Sequence, residues 1–143
     1  MKINELRVGS LVYGKTQFGQ LIAKVTQLTA VLCGIEPIDA KIANGEWFAC
    51  KMDGDEFKLI EPIPLTKEFF EKNGFIHIES VDYYDNYHTS EDMRIDVYES
   101  SNGWVVHIDN IEFSDAFCRR LKYVHELQNA YYVSTGEELE VKL

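Results

Sequence analysis

Short apolar segments separated by turn-forming dipeptides constrain the fold of this chain more than any other feature of its sequence. Asn44-Gly45 precedes EWFACK, Asp53-Gly54 separates WFACKM from EFKLI, and Asn102-Gly103 separates MRIDVYES from WVVHI. Each dipeptide tolerates the positive φ angles that a tight type I′ hairpin requires. The pattern therefore predicts a protein built mostly from antiparallel β-strands.

The chain divides at IEPIPL, residues 60–65, because Pro62 and Pro64 interrupt regular strand pairing. Residues 1–60 contain closely spaced strand-like segments and predict a small β-barrel-like subdomain. Residues 61–143 predict a β-rich half that carries two helices. The predicted fold class is thus α+β, mostly antiparallel β, and it stays open whether the halves form one compact unit.

Helix signals occur at two places in the second half. Thr66 is a suitable N-cap and Gly74 a suitable C-terminal stop, which predicts a short helix near 67–73. The C-terminal helix is predicted near 124–135, where Gly136 follows. Its apolar face is predicted from residues at helical spacing, namely Val124, Leu127, Ala130, Tyr131 and Ser134. His125, Gln128 and Asn129 are predicted to line its polar side.

The rest of the second half alternates between strand-like and loop-like segments. Strands are predicted at 75–81, 93–100 and 104–110, with further short strands at 111–113 and 117–123, the last of which could instead open the final helix. DYYDNYHTSED, residues 82–92, predicts a loop. Leu139, Val141 and Leu143 alternate with charged residues, which predicts a C-terminal strand.

Charge and composition exclude several classes of partner. Twenty-four acidic and fourteen basic residues give a net charge of -10. Such a surface repels nucleic-acid phosphates and anionic membranes, so we expect no direct binding to either.

No apolar run reaches the length of a membrane span and the N-terminus has no apolar signal core, which predicts a cytoplasmic protein. Cys33, Cys50 and Cys118 are far apart in the sequence and predict reduced thiols.

No metal or cofactor site is predicted. HELQN, residues 125–129, has Asn129 where a zinc protease helix needs a second histidine. DGDEFKLIE, residues 53–61, has Lys58 where a calcium loop needs glycine. The four histidines, His77, His88, His107 and His125, have no ligand spacing, although His77 and His107 could meet across a sheet. A Cys–His pair could also form in space.

The segment 82–92 is the best candidate for a binding surface. Tyr83, Tyr84 and Tyr87 lie beside Asp82 and Asp85. Tyrosines are enriched at protein interfaces, and neighbouring carboxylates would select a basic partner. The alternative is a solvated loop whose tyrosines fold back onto the sheet.

Three stretches together resemble a family of uncharacterised small proteins of gut Bacteroidetes and their prophages. They are INELRVGSLVYG, IEPIPLTKEFFEKNGF and KYVHELQNAYYVSTGEELEV, in that order, and they cover about a third of the chain. The chain departs from the family pattern at Phe69-Phe70, where the family has Trp-Leu, and at Glu126, where it has Gln. The resemblance implies an association with a mobile element and implies no activity.

The sequence leaves three functional hypotheses. The first is a noncatalytic protein-interaction or accessory module, associated through the resemblance with a prophage or mobile element. The second is a small hydrolase whose histidine and carboxylate groups meet across strands. The third is an acidic decoy that mimics DNA and binds a DNA-binding protein.

Overall fold

The computed structural model describes the chain except for residues 17–18, 31, 39–47, 52, 54–56, 79–82, 88–92 and 111–115. Within the described part, the protein consists mostly of antiparallel strands with two α-helices, which confirms the predicted fold class. The chain forms two compact units, Met1–Ile63 and Pro64–Leu143, whose boundary lies inside IEPIPL.

The first unit contains one curled, half-barrel sheet of five antiparallel strands. The strands are β1 (Leu11–Thr16), β2 (Gly19–Leu28), β3 (Leu32–Pro37), β4 (Phe48–Lys51) and β5 (Ile60–Pro62), in the order β4-β3-β2-β1-β5. A short 3₁₀ helix, Ile3–Glu5, precedes them. The core is apolar, and it includes Val12, Val25, Ile35, Phe57 and Ile60. The turns predicted at Asn44-Gly45 and Asp53-Gly54 involve residues outside the described part.

The second unit opens with the predicted short helix, α1 (Lys67–Lys72). Thr66 caps it, because its Oγ1 accepts a hydrogen bond from the Phe69 N–H at 3.2 Å. Gly74 follows the helix with φ of 80°, a left-handed conformation that glycine adopts without a Cβ clash. Both end signals are thereby confirmed.

A second five-stranded antiparallel sheet follows. Its strands are β6 (Ile76–Ile78), β7 (Tyr83–Tyr87), β8 (Met93–Ser100), β9 (Gly103–Asn110) and β10 (Ala116–Leu121), in the order β10-β9-β8-β7-β6. The loop prediction for 82–92 was wrong at 83–87, because this segment pairs with strands on both sides. The segment at 117–123 was predicted as a strand or the start of a helix, and it is a strand through Leu121.

The β8–β9 hairpin was predicted correctly, but its turn lies one residue earlier than expected. Ser100 pairs with Gly103, so Ser101 and Asn102 form the turn. Gly103 has φ of 124°, and an added Cβ would lie 2.6 Å from the Leu121 carbonyl oxygen. Glycine is therefore required here both by backbone conformation and by close approach.

The final helix, α2 (Val124–Thr135), ends at Gly136 in the left-handed conformation, as predicted. Val124, Leu127, Ala130 and Tyr131 are buried, so the predicted apolar face is confirmed there. The polar-side prediction was wrong for His125 and Gln128, which are also buried. The apolar core of the second sheet also includes α1. There the Phe70 and Trp104 rings pack edge to face, with their centroids 4.6 Å apart.

The predicted C-terminal strand does not form. Residues 136–143 have no ladder pairing, although Leu139 is buried. The Asn73 side chain holds the segment instead. Its Nδ2 donates to the Lys142 carbonyl oxygen at 2.9 Å, and its Oδ1 accepts from the Lys142 N–H at 2.7 Å. A side-chain amide thus takes the hydrogen bonds that a neighbouring strand would have provided.

Candidate functional site

The face of the second sheet opposite its apolar core is the candidate site. On β8 and β9 the core residues alternate with a more polar set, as the two-residue period of a strand requires. The core set is Ile95, Val97, Trp104, Val106 and Ile108. The other set is Arg94, Asp96, Tyr98, Val105, His107 and Asp109. We call the face that carries this second set, with the positions paired to it on the neighbouring strands, the outer face.

One row across the outer face brings together an acid, a base and a thiol. Asp96 on β8 is paired with His107 on β9, and His107 is paired with Cys118 on β10. Directly opposite residues of an antiparallel pair have Cβ atoms about 4.5–5.5 Å apart. The row is therefore a contiguous line of polar groups, and the thiol at its end is exposed.

Neighbouring side chains contact two members of this polar row. Arg94 Nε donates to Asp96 Oδ1 at 2.6 Å, which compensates the charge of a carboxylate only 8 % exposed. The Tyr98 ring lies 6.5 Å from the His107 ring, centroid to centroid. The described residues contain no group of three or more metal-ligating side chains placed to hold an ion.

An apolar row lies beside the polar row. Ile78 on β6, the Tyr83 position on β7 and Tyr98 on β8 are successive Cα partners. Ile76, two residues from Ile78, is 70 % exposed, and Ile78 and Tyr98 are 36 % and 38 % exposed. These three large apolar side chains lie on one face of the sheet and are accessible to water, and we call the set the Ile–Tyr patch.

The residues predicted to bind a partner fall in or next to β7. Tyr83, Tyr84, Asp85 and Tyr87 lie in this strand. By register, Tyr83, Asp85 and Tyr87 pair with Tyr98, Asp96 and Arg94 of the outer face, whereas Tyr84 pairs with the core residue Val97. Their side chains, and Asp82 altogether, lie outside the described part of the chain.

The histidines are distributed over several elements. His77 on β6 and His107 on β9 do not meet, because β7 and β8 lie between their strands. His125 on α2 is 2 % exposed and stacks on Tyr123 with ring centroids 5.8 Å apart. His88 lies outside the described residues. Among the described histidines, only His107 therefore lies at the candidate site.

Negative charge is concentrated in the unit that carries the outer face. Residues 64–143 contain sixteen acidic and seven basic residues, a net charge of -9, whereas residues 1–63 contain eight and seven. The segment 76–115, which includes β6 to β9, contains ten acidic residues and only Arg94 as a basic one. A ligand approaching this part of the chain meets a predominantly acidic sequence.

A separate open cleft lies where α1 ends. Its volume is about 380 Å³, and it is lined by Glu71, Lys72, Asn73, Gly74, Glu140, Val141 and Lys142. The cleft is bordered by the hydrogen bonds between Asn73 and the Lys142 backbone. These residues serve to anchor the C-terminal segment.

Sequence reasoning missed Ile76, Ile78, Tyr98, Asp96 and Cys118 as members of a site. The alternation in MRIDVYES and WVVHIDN contains part of the signal, because it separates a polar face from an apolar one. The pairing of Asp96 with His107 depends in addition on the position of the turn.

No family model, curated protein or solved structure matches this chain. The family resemblance seen in the sequence therefore stays a prediction. Among the described residues, no helix combines the length and the apolar character needed to cross a membrane.

Proposed function

We propose that this protein is a noncatalytic interaction module that binds a basic protein partner through the outer face of its second sheet. The observation that carries the proposal is the Ile–Tyr patch, in which Ile76 is 70 % exposed on the same strand as Ile78 and on the same face of the sheet as Tyr98. Burying such side chains against a partner contributes up to about 1.5–3 kcal/mol each. The patch provides the apolar contact, and the net negative charge of the second unit selects the partner.

The charge of the segment supports a basic partner. Ten acidic residues and one arginine in 76–115 would accelerate the approach of a cationic surface and repel an anionic one. The single arginine, Arg94, forms an ion pair with Asp96, so the Asp96 carboxylate offsets part of its positive charge. A cytoplasmic location and an accessory role in a mobile element belong to the same proposal, the second resting on the family resemblance alone.

The test compares two single substitutions of exposed aliphatic residues in the second unit. Ile76→Ser alters the patch, and Val133→Ser alters a position on α2 of similar exposure, 79 % against 70 % for Ile76. The full chain and both variants are immobilised, and retained proteins from a bacterial lysate are quantified by mass spectrometry. We expect a basic protein that the parent and the Val133→Ser variant retain and that the Ile76→Ser variant loses at least about tenfold.

Binding of the purified candidate is then measured by calorimetry at several salt concentrations. Affinity should fall as salt rises, because attraction between opposite charges is screened. Equal retention by all three chains, or affinity that does not respond to salt, would contradict the proposal. A captured DNA-binding protein would identify the module as a DNA mimic.

The polar row favours a second candidate function, that of a small thiol hydrolase. Cys118 Sγ would attack an activated acyl carbon, with its proton passing to His107 and then to the leaving group. Water would hydrolyse the resulting thioester and restore the thiol. Hydrolysis of a thioester substrate that is lost in both Cys118→Ala and His107→Ala variants, and kept in Cys50→Ala, would favour this candidate over the interaction module.

A further inference from the structure

Two of the three cysteines face each other inside the first unit. Cys33 on β3 and Cys50 on β4 are Cα partners in the antiparallel register. Both are buried, at 0 % and 2 % exposure, and both are free thiols. Seventeen positions separate them in the sequence, so the pairing is a product of the fold.

The register places the two Cα atoms within the range that a disulfide spans. Directly opposite residues in an antiparallel pair have Cα atoms about 4.5 or 5.5 Å apart, depending on the hydrogen-bonding position. A disulfide spans Cα separations of about 4.4–6.8 Å, so both cases fall within its range. Opposite Cβ atoms are about 4.5–5.5 Å apart, against about 3.5–4.5 Å in a disulfide, so formation of the bond requires a small approach of the two strands as well as rotation of the side chains.

The local environment protects both thiols. Burial, and secondarily the neighbouring Cys50, raise the pKa of the Cys33 thiol to about 12. Burial also raises the pKa of Cys50. Because the thiolate is the reactive form, both cysteines react slowly near neutral pH, and their oxidation requires prolonged exposure to an oxidant. Cys118, by contrast, is exposed.

We propose that Cys33 and Cys50 form a redox modification site, at which a hydroperoxide converts the two thiols into an intramolecular cross-strand disulfide. The Cys50 sulfur attacks one peroxide oxygen, the O–O bond breaks, and the products are a sulfenic acid and one water or alcohol molecule. The Cys33 sulfur then displaces the hydroxyl from Cys50, and its proton completes a second molecule, water. The two thiols lose two electrons and two protons, and the peroxide is reduced.

The bond would fasten the terminal strand of the first sheet. Among the described strands, β4 pairs only with β3, at one end of the order β4-β3-β2-β1-β5. A covalent link between these strands closes a loop that the unfolded chain would otherwise leave open, which stabilises the folded state. The site lies in the first unit, so its test is independent of the proposed partner binding by the second.

The test uses the full chain with Cys118→Ser, which removes the exposed thiol from the reaction. The protein is treated with hydrogen peroxide, free thiols are alkylated, and tryptic peptides are mapped without reduction. Trypsin cleaves after Lys24, Lys41 and Lys51, so the disulfide joins peptides 25–41 and 42–51. We expect this linked pair, and a thermal midpoint that rises by at least about 5 °C and returns when reductant is added.

Single Cys33→Ser and Cys50→Ser variants are the controls, and both should fail to give the linked peptides or the reversible rise. Three results would overturn the proposal. They are thiols that stay fully reduced under peroxide in the folded protein, separate overoxidation of each cysteine without a link, and a link that forms only between different chains.

Discussion

At the scale of single residues, Asn73 shows how one side chain orders a chain terminus. Its amide has both a donor and an acceptor, so it reproduces the two-sided hydrogen bonding of a peptide group toward Lys142. The same Nδ2 also donates to the Phe69 carbonyl oxygen at 2.7 Å, which ties the amide to the last turn of α1. The end of the helix and the end of the chain are thereby joined at one residue.

Replacing Asn73 with Ala should lower the free energy of unfolding by about 1–2 kcal/mol, because three hydrogen bonds are lost at a partly accessible site. Urea denaturation checks the value, and hydrogen exchange at the Lys142 amide checks the location. Lys142→Ala is the matched control, because it keeps the backbone groups that Asn73 binds. An Asn73→Ala variant with an unchanged midpoint and an unchanged Lys142 exchange rate would contradict this account.

At the scale of elements, α2 begins with a carboxylate that reaches back along the chain. Glu126 Oε2 accepts hydrogen bonds from the Lys122 N–H at 2.7 Å and the Tyr123 N–H at 3.0 Å. These donors lie before the first helical turn, where the backbone has no intrahelical partner. The negative charge also lies at the positive end of the helix dipole.

The Glu126→Ala variant should lose about 1–2 kcal/mol of stability, because both N–H groups then depend on water alone. Glu126→Gln should lose clearly less, since its amide oxygen still accepts, and Gln is also the residue in the family pattern that this chain resembles. Parallel denaturant melts of the two variants measure the difference. Equal losses in both would show that charge alone, and not the acceptor, stabilises the start of α2.

The C-terminal segment is a second element whose stability can be tested. Leu139 is buried, whereas Leu143 is exposed. Leu139→Ala should lower the free energy of unfolding by about 2 kcal/mol, at the low end for a buried leucine because a chain end can relax into the space. Leu143→Ala should change it by less than about 0.5 kcal/mol. Chemical denaturation that finds both variants equal to the parent would show that the segment does not contribute to the core.

At the scale of the whole molecule, charge is distributed unevenly between the two units. Residues 64–143 carry a net charge of -9, against -1 for residues 1–63. Like charges concentrated in a compact unit repel one another and oppose folding. The same field would attract the basic partner proposed for the outer face.

Stability should therefore rise with ionic strength. Between about 20 and 300 mM NaCl, the thermal midpoint should increase by a few degrees, because screening weakens the repulsion. Replacing Glu71 and Glu140, two exposed carboxylates beside the Asn73 cleft, with Gln should reduce this increase. Differential scanning calorimetry measures both effects, and a midpoint that falls with salt would indicate that attractive ion pairs dominate instead.

The fold class, the location of the helices and the division near IEPIPL could be predicted from the amino-acid sequence, because these depend on local signals. Thr66 and Gly74 bound α1, Gly136 ends α2, and period-two alternation marks β8 and β9. Each signal acts within a few residues along the chain. The strand at 83–87 was missed because its tyrosines and carboxylates have the composition of a loop, and pairing with two neighbours overrides that local preference.

Which residues of the candidate site face one another became clear only from the tertiary structure. A turn at Asn102-Gly103 would have set Asp96 opposite Asp109, whereas the observed turn at Ser101 and Asn102 sets it opposite His107. One residue of difference in the turn leaves each side chain on the same face and changes every cross-strand pair. The pairing of Cys33 with Cys50, and the hold of Asn73 on Lys142, likewise join residues far apart in sequence. Such contacts depend on strand register and packing, for which the amino-acid pattern has no local signal.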